Sequence, residues 1–303
     1  MFLSTKILYQ NGLKSVARTN YIATVNKAQA ILEQRKIEQS GLSSKFRKKN
    51  SKQEEDTQVF YRFLQKLENR YNTEYKPASE SAIQACNGII KSLESKFEFG
   101  APQYEIFEQK DSNTYQNKIL PEIIFLGKCN SGKSTLLNNL LTNGKKKDLT
   151  KLARASKVAG YTKMLNVYNI SNRFKIVDSP GYGVKGTAEQ GDVTMNYLLK
   201  RKNLRRVYLL ASAVTGLNHY DSAIIDYLIE HAIPFEIVWT KMDKVTPSLE
   251  PILLDNIDKS GVLEMPVKPR FFFINSKLNK QKCPKRYGLE NLKVSIMQAC
   301  NLL

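Results

Sequence analysis

Gly127-Lys128-Cys129-Asn130-Ser131-Gly132-Lys133-Ser134-Thr135 follows directly on the apolar run Ile123-Ile124-Phe125-Leu126. The pattern is G-x-x-x-x-G-K-[ST] in the strand-then-helix setting that a phosphate-binding loop requires. Glycine lets the backbone curl so that successive N–H groups face inward and cradle a chain of phosphates. The helix that starts here turns the positive end of its dipole toward the same anion. Gly127, Asn130, Ser131, Gly132, Lys133, Ser134 and Thr135 are the expected contacts of such a ligand. Lys133 reaches the outer phosphates and the Ser134 hydroxyl suits an accompanying Mg²⁺.

Working outward, three more motifs each close a predicted strand. Phe174-Lys175-Ile176-Val177 leads into Asp178-Ser179-Pro180-Gly181. There a carboxylate can hold Mg²⁺ through water, and a glycine N–H can approach a terminal phosphate. Phe235-Glu236-Ile237-Val238-Trp239 leads into Thr240-Lys241-Met242-Asp243, the T/N-K-x-D pattern of guanine recognition. The Asp243 carboxylate accepts from the ring N–H and the exocyclic amine of guanine, while the Lys241 stem packs over the base. Adenine has no matching pair of donors, so Asp243 would lose its partners at a cost of a few kcal/mol. Phe271-Phe272-Phe273-Ile274 ends in Asn275-Ser276-Lys277, where a backbone N–H at Ser276 or Lys277 can meet the guanine O6. Each motif alone is weak. Four in this order, each at the carboxyl end of a strand, place a guanine-nucleotide site along one edge of an open α/β sheet.

The sequence predicts strand 122–126, helix 132–143, strands 165–170 and 174–177, helix 189–202 and strand 207–211. Helix 221–231, strand 235–239, a helix within 247–259, strand 271–274 and helix 289–300 follow. Alternation of this kind means a doubly wound, mainly parallel sheet, here of six strands, with helices on both faces. A tight Ser171-Asn172 turn makes one pair antiparallel. Upstream, residues 1–50 read as a basic, presequence-like start and linker. Residues 51–98 read as an α-helical extension with apolar stripes (Val59, Phe60, Phe63, Leu64, Leu67, then Ile83, Ile89, Ile90, Leu93) that packs on the domain formed by residues 99–303.

The 303 residues carry a formal charge of +19, which favours polyanionic partners. Three clusters stand out: Lys145 to Lys163 around the first switch, Lys200 to Arg206 after the second, and Lys268 to Arg286 with no acidic residue. Basic residues beside nucleotide-sensing loops would couple phosphate-backbone binding to the bound nucleotide, with RNA read by shape and backbone rather than by sequence. No acidic residue precedes Glu33, whereas Lys6, Lys14, Arg18 and Lys27 do; that composition fits a mitochondrial transit peptide. A basic arm on a cytosolic protein is the other reading. The four cysteines lack metal-ligand spacing. No apolar run reaches the roughly 18 residues needed to span a bilayer, so stable membrane insertion is not expected.

With these residues in place, the chain resembles the EngB (YihA) family of GTPases, within the Era-like, translation-associated G proteins. Leu152-Ala153-Arg154-Ala155-Ser156-Lys157 with Gly160-Tyr161-Thr162 is similar to the family's first switch, and Asp178-Ser179-Pro180-Gly181-Tyr182-Gly183 to its second. The resemblance covers about two-thirds of the chain. It implies a role in ribosome assembly, GTP and GDP as ligands, Mg²⁺ as cofactor, and Thr162 as a switch ligand of the metal beside Ser134 and Asp178. Lys133, Thr162 and Gly181 are then the residues that meet the transferred phosphate. The family usually has Arg where Tyr161 stands, and an Asp-x-Arg element where this chain has Ser212-Ala213-Val214.

Many small GTPases place a water-orienting Gln directly after D-x-x-G; this chain has Tyr182. Asn130 stands where related potassium-activated GTPases bind a K⁺ bridging the phosphates. Such an ion would do the work of an arginine finger, about 4–7 kcal/mol. Alternatively, Asn130 only hydrogen-bonds the loop. Expected is a slow GTPase, speeded by K⁺ or a ribosomal partner, acting as a monomer in the mitochondrial matrix on a ribosomal particle and its rRNA. The other class left open is a nucleotide-gated RNA-binding module with negligible turnover.

Overall fold

The computed structural model describes residues 42–112, 120–141, 164–183, 188–277, 283 and 285–303. The chain divides into two compact units, Met1–Gln58 and Val59–Leu303, and helix α1 (Leu42–Tyr71) contributes residues to both. The second unit holds a seven-stranded sheet in the order β1-β3-β4-β2-β5-β6-β7. Its strands are β1 (Ser95–Ala101), β2 (Glu122–Gly127), β3 (Leu165–Ile170), β4 (Phe174–Asp178), β5 (Leu204–Ser212), β6 (Phe235–Thr240) and β7 (Phe271–Phe273). β2 lies parallel to β4 and β5, and β5–β6–β7 continue parallel. β3 is antiparallel to both β1 and β4. The β3–β4 turn sits on Ser171 (φ 47) and Asn172 (φ 54). Two successive positive φ values give the turn whose twist matches that of the flanking strands.

The continuous apolar runs follow from burial on both faces. Ile124, Leu126, Val177, Leu209, Ile237, Trp239, Phe271 and Phe273 enter one core, with Val193 and Tyr197 of α5 (Ala188–Lys200), Ile224 and Leu228 of α6 (His219–Glu230), and Ile257 of α7 (Glu250–Asp258). The alternate residues Ile123, Phe125, Ile176, Tyr208, Leu210, Val238 and Phe272 enter the other. They meet Leu136 and Leu137 of α4 (Lys133–Leu141) and Leu292, Ile296 and Met297 of α8 (Leu289–Ala299). The extension is divided between these cores. Phe60, Leu64, Leu67 and Tyr71 of α1 join the first, while Cys86 and Ile90 of α2 (Glu80–Lys91) join the second. Phe63 of the first stripe and Ile83, Ile89 and Leu93 of the second lie partly buried against these cores, whereas Val59, expected in the first stripe, is exposed.

Three expectations are corrected. The sheet has seven strands rather than six, because β1 adds an antiparallel edge to β3. Its sequence, with Lys96, Glu98 and Gly100 among Phe97 and Phe99, lacks a buried-strand signature because an edge strand keeps charge on its solvent side. Residues 42–52, read as part of a linker, are helical; Leu, Lys and Arg are good helix formers, and no Gly or Pro interrupts. A short helix α3 (Glu105–Ser112), absent from the sequence reading, inserts Phe107 into the first core. The presequence-like start lies outside the described residues.

Candidate nucleotide site

The four motifs converge because parallel strands end at the same edge. β2 delivers the phosphate loop, β4 delivers Asp178, β6 delivers residues 240–243, and β7 delivers residues 275–277. Within the loop Asn130 has φ 65 and Gly132 φ 100, so the chain turns through conformations that expose consecutive N–H groups on one side. Lys133 opens α4, and its Nζ lies 3.0 Å from Asp178 Oδ1, both side chains being buried. Burial pushes the Asp178 carboxyl above the ordinary aspartate range, and the Lys133 ammonium pulls it back only in part. Gly181 passes so close to the loop that a Cβ there would sit 2.9 Å from Cys129 Sγ and 3.0 Å from Cys129 Cα and N. No other residue type could bring its N–H to that place without moving the loop.

The base side is tied to the phosphate side through backbone. Thr240 Oγ1 donates to the Ser131 carbonyl, and Lys241 Nζ donates to the Asn130 carbonyl at 2.5 Å. Lys241 has the left-handed φ of 59; that conformation carries the chain from β6 into the one-turn helix Met242–Lys244, which holds half-buried Asp243. Burial lowers the Lys241 pKa, Lys244 lowers it further, and Asp243 opposes both. Asn139 of α4 donates to the carbonyls of Thr135 (2.9 Å) and Ser276 (3.2 Å), joining the loop after β7 to the phosphate-loop helix. Sequence reasoning missed Asn139. Its signal was a polar Asn138-Asn139 pair on a helix face that is otherwise apolar, and both residues are buried. Also missed was Ser179, whose hydroxyl donates to the Phe125 carbonyl at 2.9 Å and fixes the end of β4 against β2.

The residues present fit a polyphosphate, its metal and a base. Ser131 Oγ and Ser276 Oγ are buried without a hydrogen-bond partner among the described residues, one in the phosphate loop and one in the loop after β7. The donor set of hydroxyl (Ser134) and carboxylate (Asp178) is that of a hard cation such as Mg²⁺. Thr135 is half-buried in the first turn of α4, and Lys277 is exposed. Thr162 and the first switch lie outside the described residues, as do Lys145 to Lys163, Lys280 and Lys282. The second basic cluster does not stand beside the site. Lys200 ends α5, and Arg205 and Arg206 open β5 at the edge opposite the phosphate loop, where Glu122 pairs with Leu204. Arg201 is buried on Glu122 and Asp111, and Arg206 pairs with buried Glu236. A chain that leaves the second switch must run the length of a helix before it re-enters the sheet, and this carries the cluster away.

Tyr182 follows the glycine that faces the loop, and its hydroxyl donates to Asp221 Oδ1 at 2.6 Å. Asp221 closes the capping box of α6 with Asn218. The phenol is therefore engaged at a helix terminus and held well above its usual pKa by burial and by that carboxylate.

The chain is similar in sequence to known GTP-binding proteins. A family model described as "50S ribosome-binding GTPase" matches residues 122–241. A Saccharomyces cerevisiae protein, MIOREX complex component 8, is 39% identical over 257 residues, covering 78% of this chain and 80% of that protein. A probable GTP-binding protein EngB of Wolbachia pipientis wMel is 38% identical over 160 residues, 51% of this chain and 78% of its own length. Among solved structures, one of a probable GTP-binding protein engB superposes with a TM-score of 0.42 at 23% identity, covering 59% of this chain and 98% of that one.

The Asp178 environment has a measurable consequence. A carboxyl whose folded pKa exceeds its unfolded one contributes stability that is full below the unfolded value and is lost as pH rises through the folded one. The ligand-free chain should therefore gain stability on acidification through the window just above the ordinary aspartate range. In urea titrations across that window, Asp178→Asn should flatten this part of the pH dependence.

Proposed function

The chain belongs to the EngB family of GTP-binding proteins, and from that membership we propose that it hydrolyses GTP as a switch in mitochondrial ribosome assembly or translation. The observation that carries the nucleotide reading is the bonding of Thr240 and Lys241 to the carbonyls of Ser131 and Asn130. It supports reading residues 240–243 as a guanine-selective segment held in fixed relation to a phosphate-binding one. In this reading Gly127, Asn130, Ser131, Gly132, Lys133, Ser134 and Thr135 hold the phosphates, and Thr240, Lys241, Asp243, Ser276 and Lys277 hold the base.

Ser134, Asp178 and Thr162 would hold Mg²⁺, which when bound neutralises charge that builds on the phosphate oxygens. Lys133 exchanges its ion pair with Asp178 for the outer phosphates. The Gly181 N–H meets the terminal phosphate and reports its presence to the second switch. Tyr182 has its hydroxyl committed to Asp221 and does not orient water, so we infer that turnover by the isolated chain is slow. Asn130 would hold a K⁺ whose charge would supply the missing assistance, and a docked ribosomal partner would be the other source of it.

The partner is a ribosomal particle of the large subunit, contacted through rRNA backbone by a monomer in the mitochondrial matrix. The net charge of +19 and the acid-free start before Glu33 support that assignment. Support also comes from a relative named as a component of a MIOREX complex and from the ribosome-binding family description.

Calorimetry on the purified chain should show GTP and GDP bound and ATP excluded. Asp243→Ala should weaken GTP by about a hundredfold, since two charge-assisted hydrogen bonds are lost; equal affinity for ATP and GTP would end the base assignment. Multiple-turnover rates should be higher in K⁺ than in Na⁺ buffer, and equal rates would remove the ion. In lysed mitochondria the chain should sediment with large-subunit particles in the presence of a non-hydrolysable GTP analogue. Absence from those particles under GTP and GDP alike would refute the assembly role.

A further inference from the structure

β7 is three residues long and lies at the sheet edge, yet it must hold up the loop that faces the base. A strand this short has little pairing of its own. Asn72, the residue directly after α1, supplies what the sheet does not. The Asn72 amide donates to the Phe271 carbonyl at 2.9 Å and accepts from the Phe271 N–H at 2.8 Å. A single side chain thus stands in for the missing neighbouring strand.

Further along, α1 reaches the limb by which the chain returns from that loop. The Tyr61 hydroxyl donates to the Lys285 carbonyl at 2.9 Å and accepts from the Lys285 N–H at 3.1 Å. Tyr287 donates to Glu68 Oε2 at 3.2 Å, and its ring lies 5.8 Å from that of Tyr61. The same limb grips the outgoing one through Asn275, a fully buried residue. The Tyr287 N–H donates to Asn275 Oδ1 at 2.6 Å, and Asn275 Nδ2 donates to the Lys285 carbonyl at 3.1 Å. Ser276 and Lys277 come next in the chain. A continuous run of hydrogen bonds therefore leads from α1 to the two residues read as the guanine O6 contact.

We propose that Tyr61 and Glu68 are positioning residues for guanine recognition: α1 holds residues 285–287, these hold Asn275, and Asn275 sets Ser276 and Lys277 against the base. The inference rests on the guanine-site reading and extends it to a helix upstream of the nucleotide-binding motifs. Tyr61 and Glu68 touch no nucleotide in this arrangement. They act on how long one stays, because a loop that fluctuates presents its N–H to the base for a smaller fraction of the time.

The test is release of a fluorescent GDP from the full chain, followed by stopped flow. The paired substitutions Tyr61→Phe and Glu68→Ala should speed release by roughly tenfold, the equivalent of about one hydrogen bond. Tyr61→Phe with Glu68→Gln, which keeps an acceptor for Tyr287, should lie between that variant and the wild type. Hydrogen exchange separates positioning from general weakening. Amides of residues 275–277 and 285–287 should exchange faster in the Phe/Ala variant, with those of the phosphate loop and β2 unchanged. Unchanged GDP release from a folded variant would overturn the proposal, as would exchange that rises everywhere alike. A wild-type chain that holds no guanine nucleotide would overturn the base-site reading first and this inference with it.

Discussion

Two hydrogen bonds to carbonyl groups hold the site together: Thr240 to Ser131 and Lys241 to Asn130. A parallel sheet brings loops to one edge but leaves each free to move, since loops have few partners of their own. Here residues 240 and 241, proposed to read the base, are fastened to the backbone of residues 130 and 131, proposed to grip the phosphates. Asn139, bonded to Ser276 from the phosphate-loop helix, adds a third tie. The proposed selectivity of Asp243 for guanine over adenine would have value only if the phosphates fix where the base lies, and these ties would fix it. In the proposed site Lys241 would serve twice, with its stem over the base and its ammonium on the loop. This gives a physical reason for lysine at that position that does not depend on contact with the ligand.

The site was legible in the sequence to the extent that its chemistry admits few residue types. Gly181 must be glycine because Cys129 stands where a side chain would go, and Asp178 must offer a carboxylate beside Lys133. The central strands were legible because burial on both faces forces unbroken apolar runs. The edge strand β1 and helix α3 were not, since each meets the core with only a few residues, Phe99, Ala101 and Phe107 among them. Charge was the least legible quantity. Arg201 and Arg206 count toward the basic excess yet are spent inside the fold on Glu122 and Glu236. Sequence neighbours Lys200, Lys202 and Arg205 remain exposed, but at the edge of the sheet away from the nucleotide. A basic run that follows a switch in sequence is not thereby beside it in space.

Those arginines show what the opposite edge requires. Glu122 opens the central strand and is fully buried; it accepts from Tyr197 at 2.6 Å and from Arg201, which also reaches Asp111 on α3. Glu236 lies at the start of β6, on the far side of β5 from β2, accepting from Arg206 and from Ser295, which in turn meets Tyr208. Buried ion pairs of this kind add little net stability, but losing one partner costs about 3–5 kcal/mol because the other is left charged and dry. Their effect is on geometry: Glu122 fixes the entry of β2 against the end of α5 on one face, and Glu236 fixes that of β6 against β5 and against α8 on the other. The carboxyl ends of the same strands are then free to carry strained, functional loops.

The helical extension completes this division of labour at the far side of the sheet. Its apolar residues bury on the core as any helix would, but its polar ones are spent on main chain: Asn72 on Phe271, Tyr75 on Lys268, Tyr61 on Lys285. Main-chain contacts of that sort constrain position without regard to the side chains they pass, and all three fall on β7 or the segments flanking it. The loop proposed to face guanine is therefore held from two directions, from the phosphate-loop helix by Asn139 and from the extension by way of Asn275. A loop fixed at both ends loses less conformational freedom when a base arrives, and the entropy it does not lose appears as affinity. By this logic a helix that touches no ligand belongs to the binding site as fully as the residues that do.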